Sequence, residues 1–165
     1  MHTSLILYRQ ATKNDAQHLK DIARRVINTN YVPFLGTDLT TTFIESGMSD
    51  QEIDEGLANC TLMICNGQII GFAITNKDIL HVIMIDVPFQ SAGHGSALLA
   101  HVEEKLFLHY KCIYLQSFKD NVLATQFYLT KGWILINEEE VPELGKIMFQ
   151  FEKHKTITDS NFRIT

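Results

Sequence analysis

Met84-Ile85-Asp86-Val87-Pro88-Phe89-Gln90-Ser91-Ala92-Gly93-His94-Gly95-Ser96-Ala97-Leu98-Leu99 runs from a strand through a glycine-bearing loop into a helix. It follows a run rich in β-branched residues, so Ile79 to Val87 is expected as one long strand. Pro88 has no N–H to give a ladder and halts it. Gly93 and Gly95 then open a helix running to about Tyr110, with Leu98, Leu99, Val102 and Leu106 as its apolar stripe. The first N–H groups of such a helix lack intrahelical partners and point back into the loop. The helix dipole adds positive partial charge there. Phosphate oxygens suit that arrangement, and glycine lets them approach the backbone. Two familiar phosphate loops are excluded. A Walker A loop needs Gly-Lys-Ser/Thr, and no lysine stands here. A dinucleotide fingerprint needs GxGxxG, and Leu98 fills the third glycine position. With Gly-x-Gly alone, a tight turn that binds nothing is the simpler reading.

Outward from this loop the chain reads as alternating short elements. Leu5 to Tyr8 is a first strand. Thr12-Lys13-Asn14-Asp15 has capping-box spacing, and Ala16, Leu19, Ile22, Ala23, Val26 and Ile27 follow at helical spacing. Tyr31 to Gly47 is broken by Pro33 and Gly36, with a short helix at Leu39 to Glu45. Ser49-Asp50-Gln51-Glu52 reads as a second capping box, leading a helix through Leu57 and Ala58. Thr61 to Cys65 and Gln68 to Thr75 are strands joined by Asn66-Gly67, a dipeptide that tolerates positive φ. Asn76-Lys77-Asp78 turns into the long strand. Beyond the loop helix come a strand at Cys112 to Ser117, a helix capped by Asp120 or Asn121 and closed by Gly132, and a strand at Trp133 to Ile136. An acidic loop and a last strand at Lys146 to Phe151 end the pattern. Antiparallel hairpins followed by strand–helix–strand crossings imply an α+β fold with a mixed sheet.

Composition narrows the function classes. The chain has 165 residues, 45% of them hydrophobic and 20% charged, which fits one soluble domain with its own core. The formal net charge of −5 argues against a nucleic-acid binder and fits either cationic partners or simple solubility. No apolar run is long enough to span a bilayer, and Met1-His2-Thr3-Ser4 does not begin a signal peptide. A cytoplasmic location is the default. Cys60, Cys65 and Cys112 form no CxxC pair and read as small hydrophobes in a reducing compartment. No metal site is expected, because His101 and His109 lack an acidic partner at ligand spacing.

Gln90-Ser91-Ala92-Gly93-His94-Gly95 resembles the Q/R-x-x-G-x-G/A motif of the GNAT superfamily of N-acetyltransferases. A second block, Asn121-Val122-Leu123-Ala124-Thr125-Gln126-Phe127-Tyr128-Leu129-Thr130-Lys131-Gly132-Trp133, is similar to that family's N-x-x-A-x-x-F-Y-x-x-x-G-F, with Trp133 in the Phe place. Arg9-Gln10-Ala11-Thr12 followed by Asp15 also looks like a common GNAT start. The resemblance spans Tyr8 to Phe151. It implies a mainly antiparallel sheet of about seven strands flanked by about four helices, with a splayed central strand pair. Residues 1-151 would form one GNAT-like domain, and residues 152-165 a polar tail.

The resemblance also implies roles. Backbone amides of Gln90, Ser91, Ala92, Gly93, His94, Gly95 and Ser96 would hold the pyrophosphate of acetyl-CoA. The strand edge at Ile83 and Ile85 would pair with the pantetheine arm as an added strand. Asn121 would hydrogen-bond that arm, and Tyr128 would protonate the departing thiolate. Pro88 falls one position later than in many relatives. The expected activity is transfer of acetyl from acetyl-CoA to a primary amine by direct attack in a ternary complex. His81 is the candidate general base, on one strand face with Ile83 and Ile85. A plain strand histidine is the equal reading, with Asp86, Asp78 or an ordered water as rivals. Glu103, Glu104 and Lys105 read as a wet helix face. Glu138-Glu139-Glu140 reads as a solvated loop that could draw a cationic amine. The acceptor is a small molecule or a peptide, and a homodimer is common in the family. The rival reading is a non-catalytic, CoA-binding regulatory GNAT domain.

Overall fold

The computed structural model describes residues 4–157. Seven strands form one sheet in the order β1-β2-β3-β4-β5-β7-β6. They are β1 (Ile6–Gln10), β2 (Cys60–Cys65), β3 (Gln68–Asn76), β4 (Ile79–Ile85), β5 (Cys112–Phe118), β6 (Ile134–Val141) and β7 (Lys146–His154). Every neighbouring pair is antiparallel except β4 and β5, which run parallel. Six α-helices accompany them: α1 (Ala16–Asn30), α2 (Val32–Leu35), α3 (Thr37–Glu45), α4 (Met48–Gly56), α5 (His94–Phe107) and α6 (Val122–Thr130). This is the expected α+β mixed sheet, with more helices than the four anticipated.

Strand alternation divides the core between two faces. On one face Leu19, Ile22, Val26 and Ile27 of α1 and Ile53 of α4 pack on Leu62, Phe72 and Ile74. On the other, Leu98, Leu99, Val102 and Leu106 of α5 pack on Met63, Ile70, Ile113 and Phe151. The Asn66-Gly67 hairpin forms as read, with φ of 49° and 84°. Gly71 is required where β3 pairs with β4 opposite Ile85, since a Cβ there would lie 2.7 Å from the Met84 carbonyl oxygen.

Several expectations need correction. The strand at Ile79 stops at Ile85, because Asp86 turns the chain: its carboxylate accepts from Val87 N–H at 2.9 Å and from two Arg25 nitrogens at 3.0 and 2.9 Å. Ser49 caps nothing. It lies buried inside α4, whose N-cap is Gly47 at φ 74°. Pro33 sits in the first turn of the extra helix α2, where its missing N–H costs nothing. Glu138, Glu139 and Glu140 are in β6 rather than a loop, opposite Phe149, Met148 and Ile147. Glu103 is not wet: its carboxylate accepts from Trp133 Nε1 at 2.9 Å and Lys153 Nζ at 2.7 Å. β7 continues three residues past Phe151 to His154, and tail residues 158–165 lie outside the described residues. Of the cysteines only Cys60 is buried; Cys65 and Cys112 are half-buried.

The capping box at Thr12 is present. Thr12 N–H donates to Asp15 Oδ2 at 2.7 Å, and Arg9 clamps both carboxylate oxygens at 2.8 and 2.9 Å. The Arg9 guanidinium therefore holds the Asp15 carboxyl well below the usual carboxylate range, helped by the Thr12 donors. A depressed folded-state value contributes stability that is complete above the ordinary carboxylate pKa and is lost as pH falls below it. Asp15→Asn should thus lower Tm at pH 7. In thermal melts from about pH 6 down to about pH 2, the gap to the parent should narrow as the parent's own carboxylate protonates. A gap that stays constant would overturn this account.

Candidate active site

β4 and β5 pair at only two positions, Ile79 with Tyr114 and Leu80 with Leu115. Beyond them the strands part, and a cleft of about 880 Å³ opens between them. β4 supplies His81, Ile83 and Ile85 to its walls, β5 supplies Gln116 and Ser117, and α6 supplies Phe127 and Tyr128. Asp86 N–H donates to Ile70 on β3, so alternation turns the backbone groups of Ile83 and Ile85 toward the cleft. The Ile85 carbonyl already accepts from Gln90 Nε2 at 2.9 Å.

The glycine loop closes one end. Its first expected donor is already engaged: Gln90 N–H bonds to the Val87 carbonyl at 3.3 Å. The first hydrogen bond of α5 is Ala97 N–H to Gly93 O at 3.1 Å. Among the described residues the amides of Ser91, Ala92, Gly93, His94, Gly95 and Ser96 have no acceptor. Ser91 at φ 61° and Gly93 at φ 84° both take left-handed backbone conformations within this short run of donors. A Cβ on Gly95 would meet only Ile85 and Phe127, at 3.9 and 4.0 Å. Packing does not demand that glycine; its bare backbone leaves the cleft floor open.

Asn121 is the N-cap of α6, its Oδ1 accepting from Ala124 N–H at 3.2 Å. That bond fixes the amide and leaves Nδ2 without a partner among the described residues, beside the cleft. Tyr128 is only 9% exposed and packs against Phe127, Trp133 and Phe151, with ring centroids 5.4, 6.1 and 5.8 Å away. Its ring belongs to the core, yet it also lines the cleft. Burial, then the neighbouring Tyr31, pushes its phenol above the ordinary range.

His81 departs from expectation. The β3–β4 register shifts between Ile74–Val82 and Thr75–Leu80, so His81 is the extra residue of a bulge. It does not share a face with Ile83 and Ile85. Its Nε2 lies 3.4 Å from a carboxylate oxygen of Glu52 on α4. Burial raises the Glu52 carboxyl, with His81 pulling it back and Glu55 adding to the rise. Asp86, the rival base, is committed to Arg25 and Val87.

A family profile described as "Acetyltransferase (GNAT) domain" matches residues 19–155. The chain belongs to the GNAT acetyltransferase family. The GNAT fold recurs in solved structures. A GCN5-related N-acetyltransferase from Rhodopseudomonas palustris superposes with a TM-score of 0.80 at 13% identity, over 94% of this chain and 99% of that one. The PaiA N-acetyltransferase of Thermoplasma acidophilum, solved with coenzyme A, gives 0.77 at 16% identity, over 92% and 99%. YjaB of Escherichia coli in its apo form gives 0.75 at 17%, over 90% and 97%. Identities this low carry the fold alone. No curated protein sequence matches the chain.

Two further residues, Glu52 and Tyr31, line this cleft. In the sequence Glu52 reads as the last residue of a capping box; in the structure it lies on α4, facing His81. Tyr31 lies in the stretch without a recognisable pattern. Tyr31 packs with Phe34 and Phe118 at centroid distances of 5.2 and 6.4 Å, roofing the cleft. Lys146 ties that roof down by donating to Phe34 O at 3.1 Å and Asp120 Oδ2 at 3.0 Å. Tyr31 keeps some solvent contact, but burial and then Glu52 push its phenol up to about 12. Raised values favour the folded state below the ordinary tyrosine pKa, and that contribution is lost as pH climbs from about 10 toward 12. Of the five tyrosines, Tyr31 and Tyr128 should both stay neutral at about pH 11 in rapid near-ultraviolet titration of the folded protein. Ionisation of all five below that pH would contradict the burial.

Proposed function

We propose that this chain is an N-acetyltransferase that passes acetyl from acetyl-CoA to a primary amine within a ternary complex. The observation that carries the proposal is the run of six acceptor-free amides from Ser91 to Ser96, of which Ser91 and Gly95 line the cleft between β4 and β5. A diphosphate is the ligand such an arc fits: anionic, multiply accepting, and reached by main-chain donors at a helix N-terminus. The cleft beyond is bounded by an unpaired strand edge at Ile83 and Ile85, which suits an amide-bearing arm. Asn121 Nδ2 is a donor to the same arm. The T. acidophilum relative was solved with coenzyme A, which agrees with this choice of ligand.

Bound acetyl-CoA supplies the acyl group as an activated thioester. The residues of this chain do the rest. None of Cys60, Cys65 and Cys112 lines the cleft, so no thiol is in position to carry the acyl group. The amine nitrogen therefore attacks the thioester carbonyl carbon directly; the C–N bond forms as the C–S bond breaks. Tyr128, held neutral by burial, gives its proton to the departing sulfur. His81, oriented by Glu52 at 3.4 Å, takes the proton that the amine must lose. The acceptor enters between α3, α4 and β4, where Glu52 favours a cation.

Tyr128→Phe should keep the fold and lower kcat by about a hundredfold or more, with CoA affinity by calorimetry little changed. Unchanged turnover would remove the proton-donor role. Gly95→Val should fold, since its Cβ meets nothing closer than 3.9 Å, yet fill the cleft floor and weaken CoA binding at least tenfold, by about 1.4 kcal/mol. If the well-folded parent shows no heat of binding with CoA or acetyl-CoA, the proposed activity falls.

A further inference from the structure

Cys112 opens β5 and His154 closes β7, and the register sets them directly opposite each other. Glu152 lies two residues before His154, opposite Tyr114. Alternation turns these side chains away from the face where Ile113, Leu115 and Phe151 join the α5 core. The Cys112 sulfur lies 3.8 Å from Glu152 Oε2 and 3.8 Å from His154 Nε2, and His154 Nε2 lies 2.9 Å from Glu152 Oε1. One ligand atom from each residue falls within 4.8 Å of the other two.

We propose that Cys112, Glu152 and His154 form a binding site for a borderline-soft divalent metal ion of the zinc type, with solvent completing the coordination. Thiolate, imidazole and carboxylate form a donor set that zinc accepts, while magnesium and calcium take oxygen ligands. The distances suit it as well. Bonds of about 2.3 Å to sulfur and about 2.0 Å to nitrogen or oxygen place tetrahedral ligands about 3.3 to 3.6 Å apart, so Cys112 and His154 need shifts of a few tenths of an ångström, while the Glu152 carboxylate, which meets them through different oxygens, turns to offer one of the two. Two hydrogen-bonded strands hold the ligands, so little ordering is needed on binding. Glu152 and Cys112 are half-buried and His154 is exposed, which leaves a side open for solvent and for entry of the ion. A Glu–His ion pair alone would leave Cys112 unexplained and would contribute little at the surface. The cluster stands at the end of β5 opposite Phe118 and the cleft, and acetyl transfer does not depend on it.

Cobalt(II) is the probe, added to the full, reduced chain under inert gas. The site predicts one equivalent bound, a thiolate-to-cobalt charge-transfer band, and visible bands of tetrahedral intensity that added zinc(II) bleaches. Cys112→Ser should abolish the charge-transfer band, and Cys65→Ser should leave it intact. His154→Ala should weaken binding by at least as much as loss of an outer-shell partner does, about tenfold. Zinc should also raise the Tm of the parent but not of Cys112→Ser, because a ligand bound only to the folded state stabilises it. Absence of the band in the folded parent, or its survival in Cys112→Ser, overturns the proposal. CoA binding measured on the same samples separates this outcome from any failure of the acetyl-transfer reading.

Discussion

Two parallel strands that part after two residue pairs leave backbone donors and acceptors that must be satisfied by something else. In this chain that problem falls on β4 and β5, and the cleft follows from how it is solved. β4 cannot lean toward β5, because β3 pairs with every residue of it except the bulged His81. Nor can it extend past Ile85, because Asp86 is pinned by Arg25 of α1. β5 is held from the other side by β7 along all seven of its residues. Each strand is thus committed to an outer partner, and the gap between them cannot collapse without breaking a full ladder. Gln90 covers part of the exposed edge by bonding to the Ile85 carbonyl. The remaining polar edge at Ile83 is left without a strand partner on the β5 side.

The same geometry sets the electrostatics. At the loop end, six free N–H groups and the start of a fourteen-residue helix give positive potential without any lysine or arginine side chain. At the other end, burial raises Glu52 and keeps Tyr31 and Tyr128 neutral. The cleft is therefore polarised along its length by backbone at one end and by desolvated side chains at the other. Such fixed dipoles need no reorganisation when charge develops, which is the source of much catalytic advantage in acyl transfer.

What could be read from the sequence divides along the same line. The glycine loop, the Asn66-Gly67 hairpin, the α1 stripe and the Asn121 cap were legible because each is a local rule: φ at one residue, a period of 3.6, or one side-chain acceptor at a helix start. The role of Gln90 was only half legible. Its place in the loop could be read, but not that its N–H would close a turn on Val87 while its side chain reached Ile85. Glu103 was misread because its partners, Trp133 and Lys153, are 30 and 50 residues away. The β6 acids looked like a loop because a run of glutamates carries little strand propensity; pairing with β7 overrides it.

His81 shows the limit most clearly. Strict alternation puts it beside Ile83 and Ile85, and a single inserted residue reverses that. No local signal marks the bulge, since Leu80-His81-Val82 is ordinary strand sequence. The pairing set at the Asn76-Lys77-Asp78 turn differs by one residue from that at the Ile85 end. Lys77 at φ 53° and the Asp78 carbonyl bonded to Tyr114 fix the start of β4 against β5, while the Ile85 end is fixed against β3 and α1. Two anchors set out of phase by one residue leave the strand to absorb the difference between them, and it does so at His81. That brings the imidazole to Glu52, on a helix that no sequence pattern had tied to the cleft. The Glu52–His81 side of the cleft therefore depends on tertiary register, and the glycine-loop side on local chain geometry.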